Sequence, residues 1–268
     1  MKSYFIVPVF NKEHLIGKVF SGIDNSVSAE YPHTKIFIID GCSDNSESIL
    51  KEFNDPNSIF LYADNVHEIR SINMGLNYIK DNCNPESDDL IFTVQDDVIL
   101  DDNAIDIRLK ELFNKYTDLG YVSMRLGSSL VKDNNNSIHE FNLIESEFGH
   151  WTQMGLNHFT KVSHNEHMLT EIAIRSPTCM QWKRYVEAGF YDDNLAPCGY
   201  DCHDMSIRLN KLGYRNCIYA IKYISNPAWG TMRENPNTDY NIKTGATYER
   251  NRQYLRKKHN DYFERNHA

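Results

Sequence analysis

The chain has 268 residues, 41% apolar and 24% charged, a balance that suits a folded protein and argues against global disorder. That length holds one large α/β domain or two small lobes. Its formal net charge of −9 opposes a general nucleic-acid-binding role, because a phosphate backbone demands a basic surface. In chain order, Tyr4 to Val9 is an apolar strand, interrupted at Asn11 and Lys12 too early for a secretory signal. No run reaches the length of a membrane span, so a cytoplasmic location is expected. Leu15, Ile16, Val19, Phe20 and Ile23 form a helical stripe for which Asn11 is a candidate N-cap. Ile36–Ile39 is a second buried strand, running into Asp40-Gly41-Cys42-Ser43-Asp44-Asn45-Ser46. There Gly41 permits a tight turn and Ser43 can cap the helix bearing Ile49, Leu50 and Phe53. Ile59 to Tyr62 is a third strand, and Ile69, Ile72, Leu76 and Ile79 mark a helix that tolerates Gly75.

The fourth strand, Leu90-Ile91-Phe92-Thr93-Val94, ends in Gln95-Asp96-Asp97-Val98, with Asp101 and Asp102 close behind. In an open α/β sheet ligands bind outside the carboxyl ends of the strands. Acids there suit a hard divalent cation, Mg²⁺ or Mn²⁺, that shares its oxygen ligands with substrate phosphate. They also suit a plain strand end, with Asp101 or Asp102 capping the next helix. That helix carries Ile105, Leu109, Leu112 and Tyr116, and Tyr121–Met124 is a fifth strand. The alternation predicts a parallel-rich sheet with helices on both faces.

After about residue 127 the pattern loosens. The run 132–136 is a turn or loop by composition. His150, Trp151, His158, His164 and His167 form either a flat-ringed platform for a ligand or ordinary loop positions. Regularity returns at Cys179-Met180-Gln181-Trp182, then in a helix from Asp204 to Leu212 ended by Gly213, and in a last helix from Thr247 to His259. The last helix carries Arg250, Arg252, Arg256, Lys257 and Lys258, either a solvated face or a peripheral contact with phosphate or anionic lipid. The six cysteines contain no Cys-x-x-Cys pair and read as free thiols. Cys198, Cys202 and His203 lack a fourth ligand at zinc spacing.

Pro8-Val9-Phe10-Asn11, the Asp40–Ser46 stretch, Arg70-Ser71-Ile72-Asn73-Met74-Gly75 and the acid pair at the fourth strand come in an order that resembles the family 2 glycosyltransferases of GT-A fold. Val186-Glu187-Ala188-Gly189-Phe190-Tyr191-Asp192 is similar to the family's "evGgFDe" step and Asp204-Met205-Ser206-Ile207-Arg208-Leu209 to its "DlslRl" helix. Tyr214 after Gly213, and Asn251-Arg252 before Leu255, also fit. The resemblance spans most of residues 4 to 258 and implies a Rossmann-like α/β domain. Residues 1–125 would bind the nucleotide-sugar, and 126–268 would supply the acceptor side and the base.

The resemblance implies that Pro8, Asn11 and Asp40 hold the base and ribose; the alternative for Asp40 is that it only shapes its turn. Arg70 is either a phosphate or base contact or a surface ion pair, and Asn73 either a nucleotide contact or a satisfied buried amide. The family's Asp-x-Asp reads Gln95-Asp96-Asp97, so Asp97 matches the metal ligand and Asp96 a sugar contact. Many relatives add a His from a later strand, and Tyr223-Ile224-Ser225-Asn226 has none. The family's Glu-Asp-x-Asp stretch, which carries the base, reads Asp201-Cys202-His203-Asp204. Cys202 is a poor oxygen-type base, Asp201 the natural substitute and His203 a second candidate. Asp201 could instead be an N-cap, and Asp204 a structural group or an acceptor contact.

The expected activity is inverting transfer of a sugar from a nucleoside diphosphate to a hydroxyl of a saccharide or glycan, assisted by Mn²⁺ or Mg²⁺, with UDP the default and TDP and GDP open. A catalytically inactive sugar- or nucleotide-binding protein is the rival, supported by Gln95 and Cys202. A nucleotidylyltransferase would want a Gly-rich phosphate loop after the first strand, and a dinucleotide oxidoreductase Gly-x-Gly-x-x-Gly. Neither pattern is present there.

Overall fold

A computed structural model describes residues 1–124, 164–170, 172–173, 176–225, 229–230 and 244–265. His150, Trp151, His158, the run 132–136 and Asn226 lie outside these residues. The strands are β1 (Ser3–Val9), β2 (His33–Asp40), β3 (Ser58–Ala63), β4 (Leu90–Thr93), β5 (Val98–Leu100), β6 (Leu119–Ser123), β7 (His167–Thr170), β8 (Thr178–Gln181), β9 (Arg215–Tyr219) and β10 (Tyr223–Ser225). Eight of them form one sheet in the order β3-β2-β1-β4-β8-β6-β9-β7, and β5 pairs with β10 apart from it. From β3 to β4 all neighbours are parallel. Beyond β4 the sheet is mixed: β8 runs antiparallel to β4 and β6, and β7 antiparallel to β9. The expected parallel character holds where helices connect successive strands. It gives way where the strand–helix alternation stops, because parallel neighbours need a crossover connection.

The helices are α1 (Ile16–Ser26), α2 (Ser46–Glu52), α3 (His67–Asn82), α4 (Ile105–Lys115), α5 (Trp182–Ala188), α6 (Asp201–Lys211), α7 (Thr244–Lys258) and α8 (Asn260–Arg265). Strand side chains alternate between faces, and the buried residues accordingly fall into two clusters. Phe5, Val7 and Val9 of β1 pack with α1 and α4 on one face. Tyr4 and Ile6 pack with α3, α5 and α6 on the other. Gly75 is required there rather than tolerated: a Cβ on it would stand 2.7 Å from Cγ2 of the buried Ile6.

Three expected caps are corrected. Asn11 does not cap α1; it takes a left-handed φ of 51° and its Oδ1 accepts the Ser43 N–H, tying the β1 turn to the β2 turn. The helix-start acceptor at α2 is Asp44, which takes the Ser46 N–H at 3.0 Å, not Ser43. Asp102 leaves the start of α4 to Ala104 and instead accepts the Lys222 N–H at 2.8 Å and a contact from His164 at 2.9 Å. It thereby pins the β5–β10 pair. His167 lies on β7 against the Tyr116 hydroxyl at 3.0 Å, so neither described histidine of the proposed platform stands free for an acceptor.

Proline in a central strand normally removes a ladder bond. The Val94 N–H donates to the Ile6 carbonyl, so even-numbered residues of β1 face β4. The next rung would need an N–H from residue 8, which proline lacks. The ladder therefore stops there, and the chain leaves β4 as Gln95-Asp96-Asp97. Strand order also reverses here, with β2 and β3 on one side of β1 and β4 on the other. That is where an open sheet opens a crevice.

The C-terminal helix closes the far side. Asn251, fully buried, donates through Nδ2 to the carbonyls of Leu195, Cys198 and Gly199, the turn that leads into α6. Arg250 donates to the Ala196 carbonyl, and Lys258 pairs with Asp192 and Asp204. Arg250, though exposed, is tied to that turn, and the half-buried Lys258 has its charge met by two carboxylates. No helix among the described residues is long and apolar enough to cross a membrane.

Candidate active site

The crevice between β1 and β4 holds the acid pair. The Phe10 N–H donates to Asp96 Oδ2 at 2.9 Å, joining the two strands just past the point where their ladder stops. Burial first, then the negative charge of Asp97 beside it, holds the Asp96 carboxyl well above the usual carboxylate range, while Lys12 and the Phe10 N–H act in the opposite sense. Gln95, in the place of the family motif's first acid, donates through Nε2 to Glu68 Oε1 at 2.8 Å. Paired carboxylates that repel each other at a strand's carboxyl end are hard oxygen donors suited to a divalent cation. The residues present therefore fit Mn²⁺ or Mg²⁺, and Asp97 would be the protein's ligand. Among the described residues a second acidic group, Glu86, Asp88 and Asp89, lies at the opposite end of β4. Asp89 there already accepts the Lys2 N–H at 2.6 Å and the Glu86 N–H at 2.9 Å.

Asp40 ends β2 and is 4% exposed. Its two oxygens accept the N–H groups of Val66 and His67 at 2.7 and 2.8 Å, so it anchors the start of α3. A carboxylate keeps further lone pairs beyond those two bonds. Arg70 is exposed one turn along α3. Burial holds the His67 imidazole below its ordinary value, with Asp40 opposing and Arg70 adding to the shift. Asn73 is corrected: its Nδ2 donates to the Tyr191 carbonyl at 2.8 Å and its Oδ1 accepts the Tyr191 N–H at 3.0 Å. Its amide is committed to a backbone 118 residues away, which is the satisfied-amide alternative.

Asp201 opens α6 behind Tyr200, whose φ of 66° is left-handed. Burial raises its carboxyl above the ordinary value, against backbone groups of Gly199, Asp201 and Cys202 and the Cys202 thiol. In the loop just ahead of α6, burial pushes the Cys198 thiol up to about 12, and the charges of Glu68 and Asp201 add to it. Glu68 also repels Asp96. Glu68 thus stands near both Asp96 and Cys198, and Cys198 lies three residues ahead of Asp201.

The other two candidates for the base are corrected. His203 is 6% exposed and burial pushes its imidazole down to about 3, so it holds no proton at neutral pH and takes one poorly. Asp204 is fully buried and bound by Arg208 Nε at 2.8 Å, His259 Nε2 at 2.8 Å and Lys258 Nζ at 2.7 Å. Although burial opposes it, these partners hold the carboxyl below the usual range. Arg208 further donates to the Gly189 carbonyl at 3.0 Å and the Phe190 carbonyl at 2.9 Å, so this acid organises the 188–190 turn.

Sequence reasoning missed Lys12. It is fully buried, its N–H donates to Ser46 Oγ at 2.7 Å, and its ammonium reaches the Trp229 carbonyl. A lysine in a polar turn reads as solvated, and nothing in its spacing says otherwise. Glu68 was missed for a similar reason: it stands on α3, and its partner Gln95 lies past the end of β4.

The sequence matches the family described as Glycosyl transferase family 2 over residues 4–184. No curated protein matches it. Among solved structures, S. aureus TarS residues 1–349 superpose with a TM-score of 0.54 at 12% identity, covering 85% of this chain and 61% of that one. The same fragment in complex with UDP-GlcNAc gives 0.54 at 12% identity, covering 84% and 58%. GalNAc-T7 with UDP, GalNAc and Mn²⁺ gives 0.58 at 8% identity, covering 82% and 42%. The chain spans less than two thirds of the length of each of these proteins, and at such identities the likeness is one of fold. The family match covers more than half of the sequence, and the α/β sheet with its acid pair at the β1–β4 crevice agrees with it: the chain belongs to glycosyl transferase family 2.

Proposed function

We propose that the protein transfers a sugar from a nucleoside diphosphate, UDP first, to a hydroxyl of a saccharide or glycan acceptor, with inversion at the anomeric carbon. The observation that carries this reading is the pair Asp96–Asp97 at the sheet's switch point, where the Phe10 N–H of the β1 turn is held by Asp96. UDP-GlcNAc in the TarS fragment, and UDP with Mn²⁺ in GalNAc-T7, support the donor class and the cation. Residues 1–125 would form the donor half and 126–268 the acceptor half.

Asp97 would hold Mn²⁺ or Mg²⁺, which when bound neutralises a diphosphate leaving group, and Asp96 would contact the donor sugar. Pro8 keeps the crevice open, Asn11 fixes the turn beside it, and Asp40 and Arg70 stand at the nucleotide end. Asp201 takes the proton from the acceptor hydroxyl as that oxygen attacks. Its burial raises its basicity toward that of a working base, and the helix start favours its negative form.

The test is UDP release from UDP-GlcNAc with Mn²⁺, in the wild type and in Asp97→Ala and Asp201→Asn. Asp97→Ala should abolish the metal-dependent turnover, and Asp201→Asn should lower it by about 10²–10⁴-fold. The Gln95–Glu68 hydrogen bond favours a second reading, a sugar- or nucleotide-binding protein whose first acid is lost. Absence of turnover with UDP-, TDP- and GDP-sugars, together with nucleotide binding that ignores Mn²⁺, would select that reading.

A further inference from the structure

Resting on Asp201 as the base, we propose that Cys202 is a positioning residue, which holds the Asp201 carboxylate through a one-way chain of hydrogen bonds starting at Tyr191 and passing through Tyr121. The Tyr121 hydroxyl oxygen lies 3.2 Å from that of Tyr191 and 3.3 Å from Cys202 Sγ, and Cys202 Sγ lies 3.4 Å from Asp201 Oδ2. A hydroxyl and a thiol each carry one proton, whereas an ionised carboxylate only accepts. The direction of every bond follows from that end. Cys202 donates to Asp201, Tyr121 must then donate to Cys202, and Tyr191 must donate to Tyr121. All the protons point toward the carboxylate.

The chain is held rigidly. Tyr121 is fully buried on β6 and Tyr191 is 5% exposed in the turn after α5, packed against the Tyr185 ring at 6.2 Å between centroids. The two hydroxyls and the thiol come from three separate elements, so their meeting is a product of the fold and not of neighbouring positions. The titratable groups facing Asp201 are Cys202 on its own helix, Tyr121 on β6, and Tyr191 and Cys198 in the loops before α6. The family motif has an acid at position 202, which would set a second negative charge beside Asp201. A thiol supplies a donor instead, and a weak one, so it orients the carboxylate while leaving it basic. Donation to the charged form lowers a carboxyl pKa, and the thiol acts in this sense against the effect of burial. Loss of the thiol must therefore move Asp201 upward.

The decisive measurement is a carboxyl ¹³C NMR titration of aspartate-labelled protein, with the Asp201 signal identified by its loss in Asp201→Asn. Cys202→Ala should raise the Asp201 midpoint by roughly half to one pH unit, an estimate on the scale of one weak charge-assisted hydrogen bond. Tyr121→Phe, which removes the donor behind the thiol, should raise it by less. Cys202→Ser keeps a donor of similar size and should restore most of the wild-type value. The acid limb of the pH profile for UDP-GlcNAc hydrolysis with Mn²⁺ should move with the midpoint in each variant. A midpoint that stays in place in folded Cys202→Ala and Tyr121→Phe overturns the inference. Full hydrolysis by Asp201→Asn instead overturns the base assignment, and the titration still decides whether the chain holds the carboxylate.

Discussion

His203 stands one position beyond Cys202 and is buried neutral, and that has a thermodynamic consequence. Its folded pKa is pushed down to about 3, whereas an unfolded histidine titrates near its ordinary value. Between those limits the unfolded chain binds a proton that the folded protein refuses, so stability falls as pH falls through that window. From pH 7 to pH 5 the loss attributable to this one residue is about 2 kcal/mol. Urea unfolding at the two pH values should show His203→Asn losing less stability than the wild type over that interval. An equal loss in both would assign the acid sensitivity to other groups. At this scale the sequence was legible where chemistry follows from position on a strand: Asp96 and Asp97 stand at the crevice because β4 ends there. It was illegible where a side chain's role depends on a partner far along the chain. Asn73 meets Tyr191, Asp204 meets His259, and Gln95 meets Glu68, none of which any local pattern encodes.

The elements divide in the same way. Long apolar runs with β-branched residues identified β1, β2, β3, β4 and β6, and helical spacing identified α1, α3, α4 and α6. The three-residue strands β5 and β10 were not legible, because each is too short to carry a period and exists only through its partner. The packing of α3 onto β1 offers a direct test. Alanine at position 75 improves helix propensity by about 1 kcal/mol, but its methyl would overlap the branched, fully buried Ile6. Overpacking of a rigid core costs about 1–3 kcal/mol, so a net loss is expected for Gly75→Ala by thermal unfolding. Combined with Ile6→Ala, the two changes should destabilise less than the sum of each alone, because the second removes the atoms that the first strikes.

For the whole molecule, the family match ends at residue 184, before Asp201. The half that would carry the base is held in place by α7, through Asn251 and its three carbonyl acceptors ahead of Asp201. Asn251→Ala leaves those groups buried without their donor, at a cost of about 1–3 kcal/mol. It should lower kcat for UDP-GlcNAc hydrolysis while the donor KM stays near wild type, since the β1–β4 crevice is untouched. A rise in donor KM with kcat unchanged would show that α7 serves the nucleotide side instead. The order of the strands, and with it the mixed second half of the sheet, could not be taken from the sequence. Alternation names neighbours only while helices connect them.

Pro8 has one more effect. Along the gap where β1 parts from β4, position 8 has no amide hydrogen to offer an incoming strand, so this stretch of main chain is inert toward β-augmentation. A molecule lodged in the gap must be gripped by side chains, since the Phe10 amide beside Pro8 is already given to Asp96. Selectivity in such a slot can be retuned by exchanging individual side chains, while the scaffold behind it keeps its register.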